Sequence, residues 1–262
     1  MRPEPRSSAV ADWHRITPPA PDDAEIEIVW LPGWGQTAGS LAPLARLLAA
    51  RARNIVFDLP GFGQTPPLAE GAGSADYADA LIGELKDGKR PRRRLLAGHS
   101  FGARVAIQAA ARHPDRVDGL ILIAAAGLKR RRGPLWRMKA AGLRSLGRLA
   151  GLSDRSLGTR LKPRFSARFG SEDYRKAGAL RATLISVVNE DLTEIARSVR
   201  APVLLIYGEQ DDATPPAFGR RFAALFAEAE LHILDGFGHL DILGPGAYQC
   251  QNLIDRFLAR LA

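Results

Sequence analysis

The sequence predicts an α/β fold, a mostly parallel sheet with helices on both faces and a helical cap inserted late in the strand series. Short apolar runs alternate with helical patterns, as parallel strands joined by covering helices require. The runs are crowded with branched and aromatic residues and are bounded by turn formers. One strongly basic stretch without strand character then interrupts the series.

The first clear strands are IEIVWL at 26–31 and NIVFD at 54–58. Between them, leucines at 41, 44, 47 and 48 give residues 40–51 one apolar face, the mark of a crossover helix. RLLAG at 94–98 and GLILIAA at 119–125 repeat the strand signal, separated by a helix at 101–113 that Pro114 stops. Sheet character returns with VLLIYG at 203–208 and LHIL at 231–234, accompanied by helical patterns at 217–226 and 247–261. These runs predict a sheet of eight strands or slightly fewer. Core boundaries at 12–126 and 182–262 follow, with a basic helical cap at 127–181 and a flexible N-terminus at 1–11. Within the cap, Leu143, Leu146, Leu149 and Leu152 recur among arginines as an amphipathic helix softened by Gly142, Gly147 and Gly151.

A chain of 262 residues with 46% hydrophobic and 25% charged residues suits one folded domain with a small insertion. No window approaches the roughly 18 consecutive apolar residues of a membrane span. The opening residues contain an early arginine but no apolar core of signal-peptide type, so a cytoplasmic location is expected. Cys250, the only cysteine, excludes an internal disulfide or a cysteine metal cluster. The net charge of +9 is unevenly spread: residues 129–181 hold sixteen Lys and Arg against Asp154, Glu172 and Asp173, a net +13, leaving the rest at −4. Nucleic acid is not the expected partner, because these arginines form no recognised reading motif and Arg130, Arg131 and Arg132 read equally well as a solvated turn. Peripheral contact with anionic lipid through the helix at 136–152 is an alternative reading, although soluble cap helices share its pattern.

The decisive local signal is GHSFG at 98–102, set between a predicted strand and a predicted helix. It matches a turn so sharp that side chains at 98 and 102 would collide with backbone, so Gly98 and Gly102 support it while Ser100 stands clear of the sheet edge. A serine hydroxyl needs a base, and the imidazole of that base should be held by a carboxylate. Five histidines restrict the choice. His14 lies in the ragged start, His99 reads as packing at the turn, His113 closes a helix and His232 sits within a strand. His239, in DGFGHLD after the last strand, is placed to reach over the sheet edge and is the expected base.

For the acid, GEQDD follows a strand end and precedes His239, with Asp211 favoured over Asp212. Asp235 and Asp241 read as turn or helix-start carboxylates, and Asp58 in DLPGFG as a turn organiser. Two N–H donors must face a developing oxyanion. Phe101, directly after the nucleophile, supplies one; Trp34 in LPGWG supplies the other, with Gly33 permitting close approach. The Trp34 ring either lines the pocket or covers the sheet end.

With these motifs in order, residues 26–262 resemble the α/β-hydrolase superfamily, particularly compact bacterial esterase-like members with an inserted cap. LPGWG is similar to the oxyanion loop, DLPGFG to the turn that follows, GHSFG to the nucleophile elbow, GEQD to the acid loop and GHL to the base loop. Position by position, the resemblance implies Ser100 as nucleophile, Asp211 as acid and His239 as base. Pro32 departs from the pattern, standing where many members carry histidine. Ser100 speaks against the haloalkane dehalogenase branch, which uses a carboxylate nucleophile.

The resemblance implies a serine hydrolase that cleaves a carboxylic ester or thioester through an acyl-enzyme, without metal or organic cofactor. Carbon–carbon hydrolases of keto-acids, perhydrolases and acyltransferases share the same triad, so the triad does not choose among them. A binding protein retaining the fold is the non-enzymatic alternative. The expected partner is a small acyl substrate, and the cationic cap favours one with an anionic portion away from the scissile carbonyl. Oligomeric state is not legible.

Overall fold

The computed structural model describes residues 13–85, 91–129 and 177–261. Among them are seven strands: β1 (Arg15–Ile16), β2 (Ile26–Leu31), β3 (Arg53–Phe57), β4 (Arg93–His99), β5 (Gly119–Ile123), β6 (Val203–Gly208) and β7 (Ala229–Leu234). They form one sheet in the order β1-β3-β2-β4-β5-β6-β7. Only β1 runs antiparallel to its neighbour, and every other pairing is parallel. Among the described residues, seven α-helices accompany it: α1 (Ala42–Leu47), α2 (Ser74–Glu84), α3 (Phe101–Arg112), α4 (Arg181–Asn189), α5 (Thr193–Ser198), α6 (Pro216–Ala223) and α7 (Ala247–Leu261).

The central strands are apolar at nearly every position because both faces of the sheet are covered. Successive side chains alternate between two cores. Ile28, Trp30, Ile121, Ile123, Leu204 and Ile206 pack with α1 and α7. Val29, Leu31, Leu120, Leu122, Leu205 and Tyr207 face the opposite way, against α2, α3 and α6. The leucine spacing that predicted α1 marks its buried side, since Leu41, Leu44 and Leu48 are sealed from solvent. In β7 every residue is only half-buried, as an edge strand should be.

Differences from the sequence expectation are local. β5 ends two residues early because Ala124 turns to φ 48°. β1 is a two-residue edge strand that no apolar run announced. His14 does not fray: its Nδ1 lies 2.8 Å from Asp58 Oδ2. Asp58 also accepts the backbone N–H groups of Ala38 and Gln64, so it organises the turn as expected. The body of the expected cap, including Arg130, Arg131, Arg132 and the helix at 136–152, lies outside the described residues, as does the expected flexible segment 1–11. Among the described residues on either side, the Leu192 N–H donates to the Gly127 carbonyl (2.8 Å). Among the described residues no helix is long and apolar enough to cross a membrane.

Candidate active site

Strand order locates the site before any side chain is considered. β3 and β4 lie on opposite sides of β2, so the loops leaving β2 and β4 diverge and open a crevice at the carboxyl edge of the sheet. Those loops are LPGWG at 31–35 and GHSFG at 98–102.

The second loop is an elbow. Ser100 sits at φ 51° and ψ −104°, a conformation that costs a non-glycine residue about 1–3 kcal/mol and persists only where its surroundings enforce it. The enforcement is steric and hydrogen-bonded. A Cβ at Gly98 would come within 2.5 Å of the Ala103 backbone, and one at Gly102 would strike the Leu31 carbonyl. The Ser100 N–H donates to the Ile123 carbonyl at 3.0 Å, which ties the turn to the end of β5. Helix α3 begins at Phe101, so its first N–H groups face the crevice without intrahelical partners.

Asp211 and His239 meet at the ends of β6 and β7. His239 Nδ1 donates to Asp211 Oδ2 at 2.7 Å. Asp211 is 2% exposed, and its other oxygen accepts the N–H groups of Ala213 and Thr214, each at 2.8 Å. Burial by itself would raise the Asp211 carboxyl, but hydrogen bonds from His239 and Thr214 outweigh it and hold the group below its ordinary value. Asp211 is therefore a fixed anion. With Nδ1–H committed to it, a neutral His239 carries its lone pair on Nε2. Asp212, the alternative in the sequence, is exposed. Asp241 accepts the Gly238 N–H at 2.9 Å and begins a short helical turn, the role expected of it.

In the loop after β2, the Trp34 ring packs edge-on against Phe62 and Phe101, with centroids 4.9 and 5.4 Å away. Tyr77 adds a further edge contact to Phe101 at 5.1 Å. Both sequence readings of this tryptophan meet here: it covers the sheet end, and it remains half-buried at the crevice. With Pro32 in the usual histidine position, Gln36 organises the loop, its Oε1 accepting the Gly33 N–H at 2.8 Å.

Three residues escaped the sequence reading as parts of the site. Thr214 places its hydroxyl 2.7 Å from Asp211 Oδ2, 2.9 Å from the Ala124 carbonyl and 3.2 Å from His239 Nδ1. Its position three residues after Asp211 and before two prolines was a readable turn signal. Gln36 and His99 gave none: they meet each other across 63 residues, and His99 meets the His239 carbonyl across 140. His113 pairs with Asp79 and His232 with Glu230, both away from the crevice. Among the described residues no three His, Cys, Asp or Glu side chains converge on a position that could hold a metal ion.

A family model described as "Alpha/beta hydrolase family" matches residues 28–248. The chain belongs to the alpha/beta hydrolase family. Its activity is accordingly of the hydrolase type found across that family. Among curated relatives, the pimeloyl-[acyl-carrier protein] methyl ester esterase of Aromatoleum aromaticum is 30% identical over 238 residues, 83% of this chain and 92% of the relative. The esterase of the same name from Chromobacterium violaceum is 28% identical over 232 residues, covering 83% and 88%. A lipase-esterase related protein from Clostridium acetobutylicum superposes with a TM-score of 0.70 at 15% identity, over 94% of this alpha/beta hydrolase and 100% of that chain. A thermophilic esterase from Thermogutta terrifontis gives 0.66 at 19% identity, over 95% and 93%. At such identities these superpositions speak to the fold.

Proposed function

We propose that this alpha/beta hydrolase is a serine carboxylesterase that cleaves the methyl ester of an acyl chain borne on an acyl-carrier protein. The observation that carries the chemistry is the 2.7 Å pair of Asp211 and His239 on the sheet edge that also bears the strained elbow of Ser100. His239 Nε2 takes the Ser100 proton as Oγ attacks the ester carbonyl. The N–H groups of Trp34 and Phe101 face the resulting oxyanion. Collapse breaks the bond to the methoxy group, which leaves as methanol with the proton from His239. Water then attacks the acyl-enzyme, giving its proton to His239, and Ser100 is released as the alcohol.

Three observations support the substrate class. Relatives that bear the methyl ester esterase name align with 83% of the chain at 28–30% identity. The net charge of +13 over residues 129–181 suits a substrate delivered on an acidic protein surface, an anionic portion distant from the scissile bond. The aromatic group of Trp34, Phe62 and Phe101 suits an apolar acyl chain.

Turnover of pimeloyl methyl ester on acyl-carrier protein, compared with the same ester free in solution, tests the proposal. The carrier-borne ester should be preferred by about tenfold or more in kcat/KM at low salt, and the preference should shrink as salt screens the basic segment. Equal values at all salt concentrations would reject the carrier while leaving the esterase. Absence of turnover with any carboxylic ester would reject the esterase.

A further inference from the structure

His99 precedes the elbow serine, is 1% exposed, and has both ring nitrogens within hydrogen-bond distance of oxygen atoms. Nε2 lies 3.0 Å from the main-chain carbonyl of His239, across 140 residues of sequence. Nδ1 lies 3.2 Å from Gln36 Oε1, the oxygen that accepts the Gly33 N–H. Its ring also lies against the His239 ring, with centroids 4.8 Å apart at 44°. One imidazole thus touches three loops, those after β2, β4 and β7.

Hydrogen counting limits what the ring can do. A carbonyl only accepts, and Gln36 Oε1 is already turned toward the Gly33 N–H as an acceptor. Serving both oxygens at once would require imidazolium. The ionisable groups facing the ring are His239 and Asp211, and burial first, then the charge of His239, push His99 down to about 4. Near neutral pH the ring therefore has one proton and two acceptors, and the nearer is the His239 carbonyl.

We infer that His99 is a positioning residue, donating its Nε2–H to the His239 carbonyl and so holding the base loop against the nucleophile turn. Among the other hydrogen bonds that hold that loop are Gln210 N–H to the Phe237 carbonyl and Gly238 N–H to Asp241, and neither reaches the elbow. The His99 contact alone among these three runs directly from the residue before Ser100 to the residue assigned as its base. The inference rests on that assignment of His239. It concerns the geometry of proton transfer, so its loss should lower kcat and leave KM nearly unchanged.

Side-chain length provides the test. A glutamine amide reaches the site of imidazole Nε2, whereas an asparagine amide reaches only that of Nδ1, on the Gln36 side. With p-nitrophenyl butyrate, His99→Leu and His99→Asn should lower kcat about 10- to 100-fold with KM changed less than about twofold. His99→Gln should regain most of the loss. An Asn variant as active as the Gln variant, an unimpaired Leu variant, or a loss confined to KM would overturn the inference. Nitrogen-15 histidine NMR of the unaltered enzyme reads the tautomer without any variant: Nε2–H is expected at neutral pH, and Nδ1–H would contradict it. Ser100→Ala, assayed in parallel, separates the two levels. Undiminished turnover there would remove the serine-based reading, while the tautomer still judges the His99 contact.

Discussion

At the residue scale, the proposed chemistry turns on which of two adjacent carboxylates the fold buries. Asp211 receives two backbone N–H groups and the His239 imidazole, whereas Asp212 faces solvent. Asp211→Asn should therefore reduce kcat/KM by roughly three to four powers of ten while Asp212→Asn changes it little, measured on any turned-over ester. A second residue-scale consequence concerns acid stability. His99 is held at about 4 against an ordinary 6.5, so between these values the unfolded chain takes up a proton that the folded chain refuses. Stability contributed by the neutral ring is complete above 6.5 and falls as pH drops toward 4, by about 3 kcal/mol at the lower end. Melting temperatures across that range should fall more steeply for the parent enzyme than for His99→Gln, and parallel curves would contradict this. Ser100, Asp211 and His239 stand out in the sequence as candidates because each sits in a loop with glycines beside a strand end, and the structure pairs the last two. His99 and Gln36 do not stand out, because they meet across loops far apart in the chain, whereas Thr214 carries a local turn signal three positions after Asp211.

At the scale of elements, the two ends of the sheet do different work. The carboxyl ends of β2, β4, β6 and β7 carry the site, while the amino ends of β2 and β4 carry a buried ion pair, Arg94 Nε to Glu27 at 2.7 Å. Both side chains are nearly sealed from solvent. Arg94→Met should cost up to about 3–5 kcal/mol by leaving the buried Glu27 charge with only the looser contact to Arg53 at 3.8 Å, with kcat per folded molecule unchanged. Chemical denaturation alongside active-site titration would check this, and a fall in kcat without a loss of stability would contradict the division. The parallel strands β2 to β6 were legible because burial on both faces demands near-continuous apolar runs, and the edge strand β7 showed only as the shorter run LHIL. Helix α2 was overlooked although Tyr77, Ala78, Leu81 and Ile82 form its buried face, because that face includes a tyrosine and an alanine in place of a leucine stripe. Helices α4 and α5 follow the basic stretch, and α4 is buried through only Thr183, Leu184 and Val187, too short a stripe to set a clear helical period.

For the whole molecule, the sheet brings loops as far apart in the chain as those holding Gln36 and His239 to one crevice, and the Leu192 N–H meets the Gly127 carbonyl. Sequence charge identified the intervening segment as distinct, but charge prescribes neither its path nor the substrate, so the carrier-borne ester is argued from relatives and electrostatics together. The serine-based chemistry underlies every other assignment. Its most direct test is peptide mass spectrometry after exposure to a fluorophosphonate, for the parent enzyme and for Ser100→Ala. A single adduct should map to Ser100 in the parent and be absent from the folded variant. An adduct on another residue of the parent, or undiminished labelling of Ser100→Ala, would contradict Ser100 as the nucleophile.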